Sequence, residues 1–314
     1  MMEKKFLTYD QQIEKLQNEK QLTISDVPAA IHMLEHISYY SLIGGYKDLF
    51  KHKPSGKYLH GVTFEEIVAF YYFDEGLRNL FLKYILQVER HLKSLISYHF
   101  CEKFGENQTE YLNPANFNSA KKNQRAVGRL IHSMQNCISM PSHYNYITHY
   151  SRQYNNVPLW VAMNAVTFGQ LSAFYQYMPN EVQVKVSKYF PGYTEKQLHQ
   201  FITIIAKCRN VCAHGERLYD FRTYDTIPDT LLHRKLSIPL KKGSYMLGKH
   251  DLFAVVLSLK YLISNDDFKD FKRRLSKLIK QVLKQCPHIT RTQLLKEMGF
   301  PENWEKINRY KLFM

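Results

Sequence analysis

The sequence lacks any apolar run long enough to cross a membrane, and residues 1–10 lack the apolar stretch of a signal peptide. Cysteine is scarce: five residues are scattered at positions 101, 137, 208, 212 and 286. An odd and scattered set implies no disulfide framework, and a reducing cytoplasm fits it. We therefore expect a cytoplasmic protein with no membrane partner.

Several common catalytic motifs are missing as well. The sequence has no glycine-rich phosphate loop, no nucleophile elbow and no carboxylate cluster of the kind that holds two metal ions. Strand-like alternation is rare, whereas apolar residues recur three and four positions apart in many stretches. We expect an essentially all-α chain that uses no cofactor and no metal.

Acidic residues are few in two regions of a chain whose net charge is +15. Residues 111–180 contain five basic residues and no acid, and residues 231–314 contain 18 basic residues against seven acidic ones. A basic surface with interleaved aromatic side chains suits a nucleic acid partner, and a merely soluble basic protein is the alternative. The residues predicted to bind RNA are Lys121, Lys122, Arg125, Arg129, Lys272, Arg273, Lys277, Lys280 and Lys284.

The helical patterns divide the chain into an N-terminal helical segment (1–60), a helical core (61–225) and a basic helical extension (226–314). In the core, Thr63 and Glu66 form a capping-box pattern that opens a long helix, from about Phe64 to Phe104. Thr194 caps a second helix, from about Glu195 to Ala213.

The remaining segments are predicted from the same signals. Residues 221–250 are rich in Pro, Gly and polar residues, which favours a linker or an irregular arm. The other expected helices cover residues 3–20, a segment from Ser25 or Asp26 to Gly44-Gly45, residues 159–178, 181–190 and 251–263, residues 266–285 with Asn265 as the cap, and two short stretches between 290 and 314.

The stretch from Lys207 to Tyr219 concentrates groups that can act on a phosphodiester. The guanidinium of Arg209 can clamp a phosphate with two parallel donors, and the imidazole of His214 can move a proton near neutral pH. The Asn210 amide can orient either partner. Arg217 is interpreted as structural or phosphate-binding, and the residues alone do not decide between the two.

Glu89 shares a helix side with apolar residues, so its carboxylate lies at the edge of the core and needs a partner. Lys93, one turn later, or a residue of the Arg209 motif could supply it. Cys208, Cys212 and His214 form a C-x3-C-x-H pattern, but zinc would need a fourth ligand. Two buried, small hydrophobic cysteines are the favoured interpretation.

The string R-N-x-x-A-H-x-x-R-L, from Arg209 to Leu218, resembles the abortive-infection proteins of the AbiD/AbiF type. Its Arg-x4-His spacing is similar to the signature of HEPN ribonucleases, and Glu89-x3-Lys93 is similar to an E-x3-K/R element on an earlier HEPN helix. The resemblance extends over about residues 20–222 through further ordered matches at Gly44-Gly45-Tyr46, at Y-x-F-D-x-x-L-R from Tyr71 to Arg78, at His149-Tyr150, at Pro158-Leu159-Trp160 and at Phe168-Gly169-Gln170-Leu171-Ser172.

This resemblance implies a HEPN-type helical bundle and a metal-independent endoribonuclease that acts as an abortive-infection toxin in bacteria. Arg209, Asn210 and His214 would then be catalytic, and Glu89, Lys93 and Arg217 would support them. The products would end in a 2′,3′-cyclic phosphate. HEPN proteins typically dimerise so that two motifs face one cleft, which implies a homodimer.

The resemblance also implies RNA partners, namely a target RNA and a structured noncoding RNA that acts as an antitoxin. One alternative is a HEPN scaffold that binds structured RNA without cutting it. Another is DNA binding, for which the sequence shows no helix-turn-helix signal. At the residue level, His214 could instead be a structural histidine near a helix C-terminus, and Arg209 could form a salt bridge with Glu89.

Overall fold

The computed structural model describes residues 5–118, 120–190 and 192–310, and most of these residues are helical. The only sheet within those ranges is a two-stranded antiparallel hairpin of β1 (Leu240–Lys241) and β2 (Ser244–Tyr245). The predicted all-α class is therefore confirmed. The α-helices are α1 (Tyr9–Glu14), α2 (Val27–Ile37), α3 (Phe64–Phe104), α4 (Gln108–Tyr111), α5 (Gln124–Ile138), α6 (Asn145–Tyr154), α7 (Leu159–Ala162), α8 (Phe168–Tyr177), α9 (Asn180–Ser187), α10 (Glu195–Ala213), α11 (Leu231–Lys235), α12 (Leu252–Leu262), α13 (Asn265–Gln285) and α14 (Arg291–Met298).

Helix α3 contains 41 residues, which is about 60 Å at 1.5 Å per residue. It begins where the sequence predicts, because the Thr63 hydroxyl accepts the N–H of Glu66 and the Glu66 carboxylate accepts the N–H of Thr63. It ends before Gly105, which adopts a φ of +92°. Helices α7, α9, α10 and α13 pack along it.

Helix α10 also has the predicted bounds. Thr194 and Gln197 form its capping box, and Gly215, with a φ of +70°, follows its last turn. Its apolar face is fully buried and packs against α3, α8, α9 and α12. The two predicted helices that carry Glu89 and Arg209 therefore lie against each other.

The basic C-terminal helices are part of the same core. Every residue of α12 is buried, and the ring of Tyr261 stacks on that of Phe201 with centroids 5.6 Å apart. Phe271 of α13 meets Phe81 of α3 edge-to-face at 5.1 Å. Buried side chains from all three predicted parts of the chain form one hydrophobic cluster.

The N-terminal helices are shorter than predicted. Helix α1 starts at Tyr9, after the Thr8 cap, and a π-helical turn (Lys15–Glu19) continues it; positions 3 and 4 lie outside the described residues. The predicted end of α2 at Gly44-Gly45 is wrong, because Ser38 adopts a φ of +66° and stops the helix at Ile37. A separate π-helical turn then covers residues 40–44.

The single helix predicted over residues 159–178 is two helices, α7 and α8. The side-chain amide of Asn164 donates to the carbonyls of Trp160 and Val161, and its main-chain N–H donates to the Val161 carbonyl, three positions back. Thr167 and Gln170 then form a capping box that starts α8. An apolar composition alone did not reveal this internal stop and start.

Two further expectations near the C-terminus are corrected. The cap of α13 is Ser264, whose hydroxyl accepts the N–H of Asp267 at 3.1 Å, and not Asn265. Residues 221–250 are irregular but are not a loose linker, because Ile227 and Leu232 are fully buried. The two short helices expected after residue 290 are α14 and a 3-10 helix (Trp304–Arg309); residues 311–314 lie outside the described part.

No helix within the described ranges is both long enough and apolar enough to cross a membrane.

Candidate functional site

The last turn of α10 presents the motif residues at the surface. Arg209 is partly buried, with 28% of its side chain exposed, whereas Asn210 and His214 are exposed. His214 is the residue that caps the helix, and its main-chain N–H donates to the Asn210 carbonyl at 2.9 Å. Among the described residues, none forms a hydrogen bond with the imidazole of the exposed His214.

Glu89 of α3 contacts Arg209 across the helix pair, as the sequence predicts. Its Oε2 lies 3.7 Å from Arg209 Nε, and its Oε1 lies 2.9 Å from Lys93 Nζ. The Glu89 side chain is only 7% exposed. At 3.7 Å the Arg209 contact is an ion pair without a hydrogen bond, and Glu89 Oε2 and Arg209 Nε are both buried without a hydrogen-bond partner in the described chain.

The carboxylate of Glu89 therefore lies between two cations. It compensates part of the charge of Arg209 and contacts the buried Nε of that side chain, while the outer part of the side chain reaches solvent. This geometry leaves Arg209 able to bind an anion that approaches from outside.

The C-terminal end of α5 completes the surroundings of Lys93. Burial raises the pKa of the Cys137 thiol, while a hydrogen bond from Gln170 and the charge of Lys93 oppose that rise. The Cys137 sulfur lies 3.7 Å from both the Ala165 carbonyl and the Gln170 amide nitrogen. Parts of α3, α5, α8 and α10 thus converge near the Glu89–Lys93–Arg209 cluster.

The loop after His214 is held by Asp74, a role that the sequence did not reveal. The fully buried Asp74 carboxylate accepts the main-chain N–H groups of Leu218 (3.1 Å) and Tyr219 (2.7 Å). It also accepts the Tyr46 hydroxyl at 2.8 Å and an Arg78 N–H at 2.7 Å. Burial raises the pKa of Asp74, and these donors oppose the rise because they favour the charged form.

Hydrogen bonds of Arg78 and Arg217 also stabilise this loop. Arg78 donates to the Glu216 carbonyl at 3.4 Å, in addition to its bond with Asp74. Arg217 donates to the Gly45 carbonyl at 2.7 Å and lies 3.2 Å from Asp220. Arg217 therefore makes structural contacts, and the signal for this network was the Tyr71–Arg78 match together with Gly44-Gly45-Tyr46.

A family comparison matches the site and the elements that hold it. Residues 32–220 match the model of the Abi-like protein family, which is more than half of the chain. This chain belongs to the Abi-like protein family. Comparison with curated proteins and with solved structures gives no significant match.

The matched region of this Abi-like protein runs from within α2 to the end of the motif loop. It includes the Asp74 network, the Glu89–Lys93–Arg209 cluster and His214, whereas α11 to α14 lie outside it. Membership of the family suggests a role in abortive infection.

The residues predicted to bind RNA lie on two separate helices of the Abi-like protein. Arg125 and Arg129 occupy the exposed side of α5, opposite the buried Val127, Leu130 and Ile131, and Lys121 and Lys122 lie exposed in the turn before it. On α13, Lys272 is half-buried, and Arg273, Lys277, Lys280 and Lys284 are exposed.

The α13 residues belong to a larger basic surface than the sequence indicated. A groove of about 720 Å³ between α13 and the C-terminal segments is lined by five basic residues, Lys272, Lys280, Arg291, Lys306 and Arg309, and by two acidic ones, Glu302 and Glu305. Arg291 forms an ion pair with Glu302. Arg273 forms an ion pair with Asp270, so part of its charge is already compensated.

Cys208 and Cys212 are buried, in agreement with their interpretation as small hydrophobic residues. Burial, and then the neighbouring Cys212, raises the pKa of the Cys208 thiol well above its ordinary value. Within the described ranges, no three His, Cys, Asp or Glu side chains cluster closely enough to hold a metal ion.

Proposed function

We propose that this Abi-like protein is a metal-independent endoribonuclease of the HEPN type that acts as a toxin in abortive infection. The observation that carries the proposal is an exposed His214 at the end of the helix whose last turns also carry Arg209, in contact with the buried Glu89. Binding alone would not require a proton-transfer group beside a phosphate-binding cation.

The chemistry needs a base, an acid and a cation. A base removes the proton from a ribose 2′-hydroxyl, whose oxygen then attacks the neighbouring phosphorus. The bond from phosphorus to the 5′-oxygen breaks, an acid protonates that oxygen, and a 2′,3′-cyclic phosphate remains. His214 serves as base or acid, Arg209 stabilises the charge on the phosphate, and Asn210 orients the imidazole or binds the phosphate.

One histidine does not easily perform both proton transfers in one pass. A homodimer in which two His214 side chains face one cleft would supply both groups. We include this assembly in the proposal, together with a structured RNA partner that restrains the toxin.

The supporting roles follow from the contacts. Glu89 and Lys93 position Arg209, and Arg217 and Asp74 hold the loop that follows His214. The basic residues of α5 and α13 attract the RNA backbone. The competing function is a scaffold that binds RNA without cutting it, which the basic groove on α13 would equally favour.

A cleavage assay on a mixed RNA pool, with and without EDTA, tests the proposal. We expect wild-type protein to cut RNA in both conditions and His214→Ala to cut at least about a hundredfold more slowly, the scale of a positioned acid–base group. His60→Ala is the control, because His60 is also exposed but lies outside the site. Unchanged cutting by His214→Ala would reject the assignment, and RNA binding by wild-type protein without cutting would favour the scaffold.

A further inference from the structure

Helix α6 and the residue before it carry exposed aromatic rings. Tyr146 packs against the hydrophobic core, and Tyr144 stacks on it with ring centroids 5.3 Å apart and an interplanar angle of 27°. Tyr144 is 46% exposed. An aromatic ring that is held from one side and open on the other is a surface on which a nucleobase can stack.

Cys137, at the end of α5, relates this stacked pair to the Glu89–Lys93–Arg209 cluster. The pKa of Tyr146 is raised by burial and then by its neighbours Tyr144 and Cys137. Cys137 in turn is close enough to Lys93 for that ammonium to act on the pKa of its thiol, and Lys93 pairs with Glu89 at 2.9 Å. The stacked pair and Lys93 therefore share Cys137 as a neighbour.

The charge around the pair favours a polyanion. Residues 111–180 span α5 to α8 and contain no Asp or Glu, although the whole chain has 28 of them. Arg125, Arg129 and Arg152 of this region are exposed. A phosphodiester chain that lies along α5 and α6 would therefore meet cations and aromatic rings, with no carboxylate from this region to repel it.

A stacking surface selects between forms of nucleic acid. The bases of a duplex are stacked on one another and expose only their edges, so they cannot cover a protein ring. Unpaired bases present a free face, and stacking tolerates any base because every base has one. The Tyr144 ring therefore fits single strands and not helices.

We propose that the stacked pair Tyr144 and Tyr146 binds an unpaired base of the RNA that reaches the Glu89–Lys93–Arg209 cluster, and that the substrate class of this protein is single-stranded RNA. The substrate assignment rests on the proposed ribonuclease function. The binding site itself does not, because stacking requires no cleavage.

Binding of short labelled RNA to full-length His214→Ala protein, followed by fluorescence anisotropy, tests the inference without interference from cutting. We expect an added Tyr144→Ala change to weaken binding of an unstructured single strand by roughly five- to a hundredfold. Tyr144→Phe should keep affinity close to that of the parent, because the ring is retained. Tyr72→Ala is the matched control, since Tyr72 is 48% exposed but lies on the opposite half of α3 from Glu89.

The comparison of oligonucleotides decides the substrate class. We expect the Tyr144→Ala effect on a single strand and none on a duplex of the same sequence. Equal effects on both forms, or a Tyr144→Ala protein that binds single strands like its parent, would overturn the inference. A single-stranded DNA bound more tightly than the RNA would overturn the RNA assignment.

These outcomes separate the inference from the proposed function. If the protein cuts RNA through His214 but Tyr144→Ala has no effect on binding, the proposed function stands and the proposed stacking site is wrong. If the protein binds single-stranded RNA through Tyr144 but cuts no RNA, the proposed stacking site stands and the proposed function is wrong.

Discussion

Glu89 is the residue that we propose to position Arg209. It is buried between Lys93 and Arg209, with its Oε1 2.9 Å from Lys93 Nζ and its Oε2 3.7 Å from Arg209 Nε. The sequence predicted this contact because a carboxylate beside an apolar stripe needs a cationic partner.

We expect Glu89→Gln to impair cleavage more than stability. The amide keeps the shape and a hydrogen-bond acceptor for Lys93 but removes the charge that holds Arg209. The rate constant kcat should fall by roughly ten- to a hundredfold, and the free energy of unfolding by less than about 2 kcal/mol. Glu102→Gln is the control on the same helix, since Glu102 pairs with Lys185 at the surface. An unchanged kcat, or a loss explained by unfolding, would contradict a positioning role for Glu89.

Asp74 could not be assigned from the sequence. Its main partners are the N–H groups of Leu218 and Tyr219, which are 144 and 145 positions away. Because every residue except proline has a main-chain N–H, such donors cannot be recognised from the residue types in a sequence. In the sequence, Asp74 and Arg78 were only two positions of the match from Tyr71 to Arg78, with no partner in the motif loop assigned to them.

We expect Asp74→Ala to destabilise the fold strongly. The change would leave two buried N–H groups and the guanidinium of Arg78 without their acceptor. Loss of one partner of a buried pair typically costs about 3–5 kcal/mol, and urea unfolding would measure it. A free energy of unfolding within about 1 kcal/mol of the wild-type value would show that this network does not hold the motif loop.

Elements with strong end signals were predicted well. Helices α3 and α10 have a capping box at one end and a glycine with positive φ just beyond the other, so local chemistry fixes both bounds. The break between α7 and α8 was missed, because Asn164 and Thr167 are isolated polar residues in an apolar run. The packed course of residues 221–250 was missed because burial of an irregular segment depends on distant contacts.

Helix α13 combines an apolar face that packs on α3 with an exposed basic face. We expect Gln substitutions at Arg273, Lys277, Lys280 and Lys284 to weaken binding to a structured RNA. They should also flatten the dependence of affinity on salt, by up to about 0.9 logarithmic units for each lost phosphate contact. Because Arg273 already pairs with Asp270, we expect its substitution to weaken RNA binding least of the four. Cleavage of short single strands should change much less.

The control for α13 is an equal loss of charge elsewhere. Lys53, Lys57, Lys241 and Lys242 are also exposed and lie outside that helix. Their replacement by Gln removes the same charge. If both quadruple variants lose the same affinity and the same salt slope, α13 contributes only net charge and is not an RNA-binding surface.

At the scale of the whole molecule, one motif per chain leads to a prediction about assembly. We expect a homodimer whose two His214 side chains share a basic cleft, in keeping with the net charge of +15. Sedimentation of the RNA-free protein measures the association directly. Mixing inactive Arg209→Ala and His214→Ala proteins should restore part of the activity if both motifs contribute to one site. A monomer that is fully active at nanomolar concentration would contradict this arrangement.

The central claim is that the RNA's own 2′-oxygen attacks the phosphate while His214 moves protons and Arg209 stabilises the charge. The most direct measurement uses a defined single-stranded RNA, in EDTA, with a 2′-deoxy nucleotide at the mapped cleavage position. We predict that the parent RNA is cut to products with 2′,3′-cyclic phosphate ends and that the deoxy-substituted bond stays intact. Cleavage of that bond, or products that end in a 3′-hydroxyl, would contradict the account.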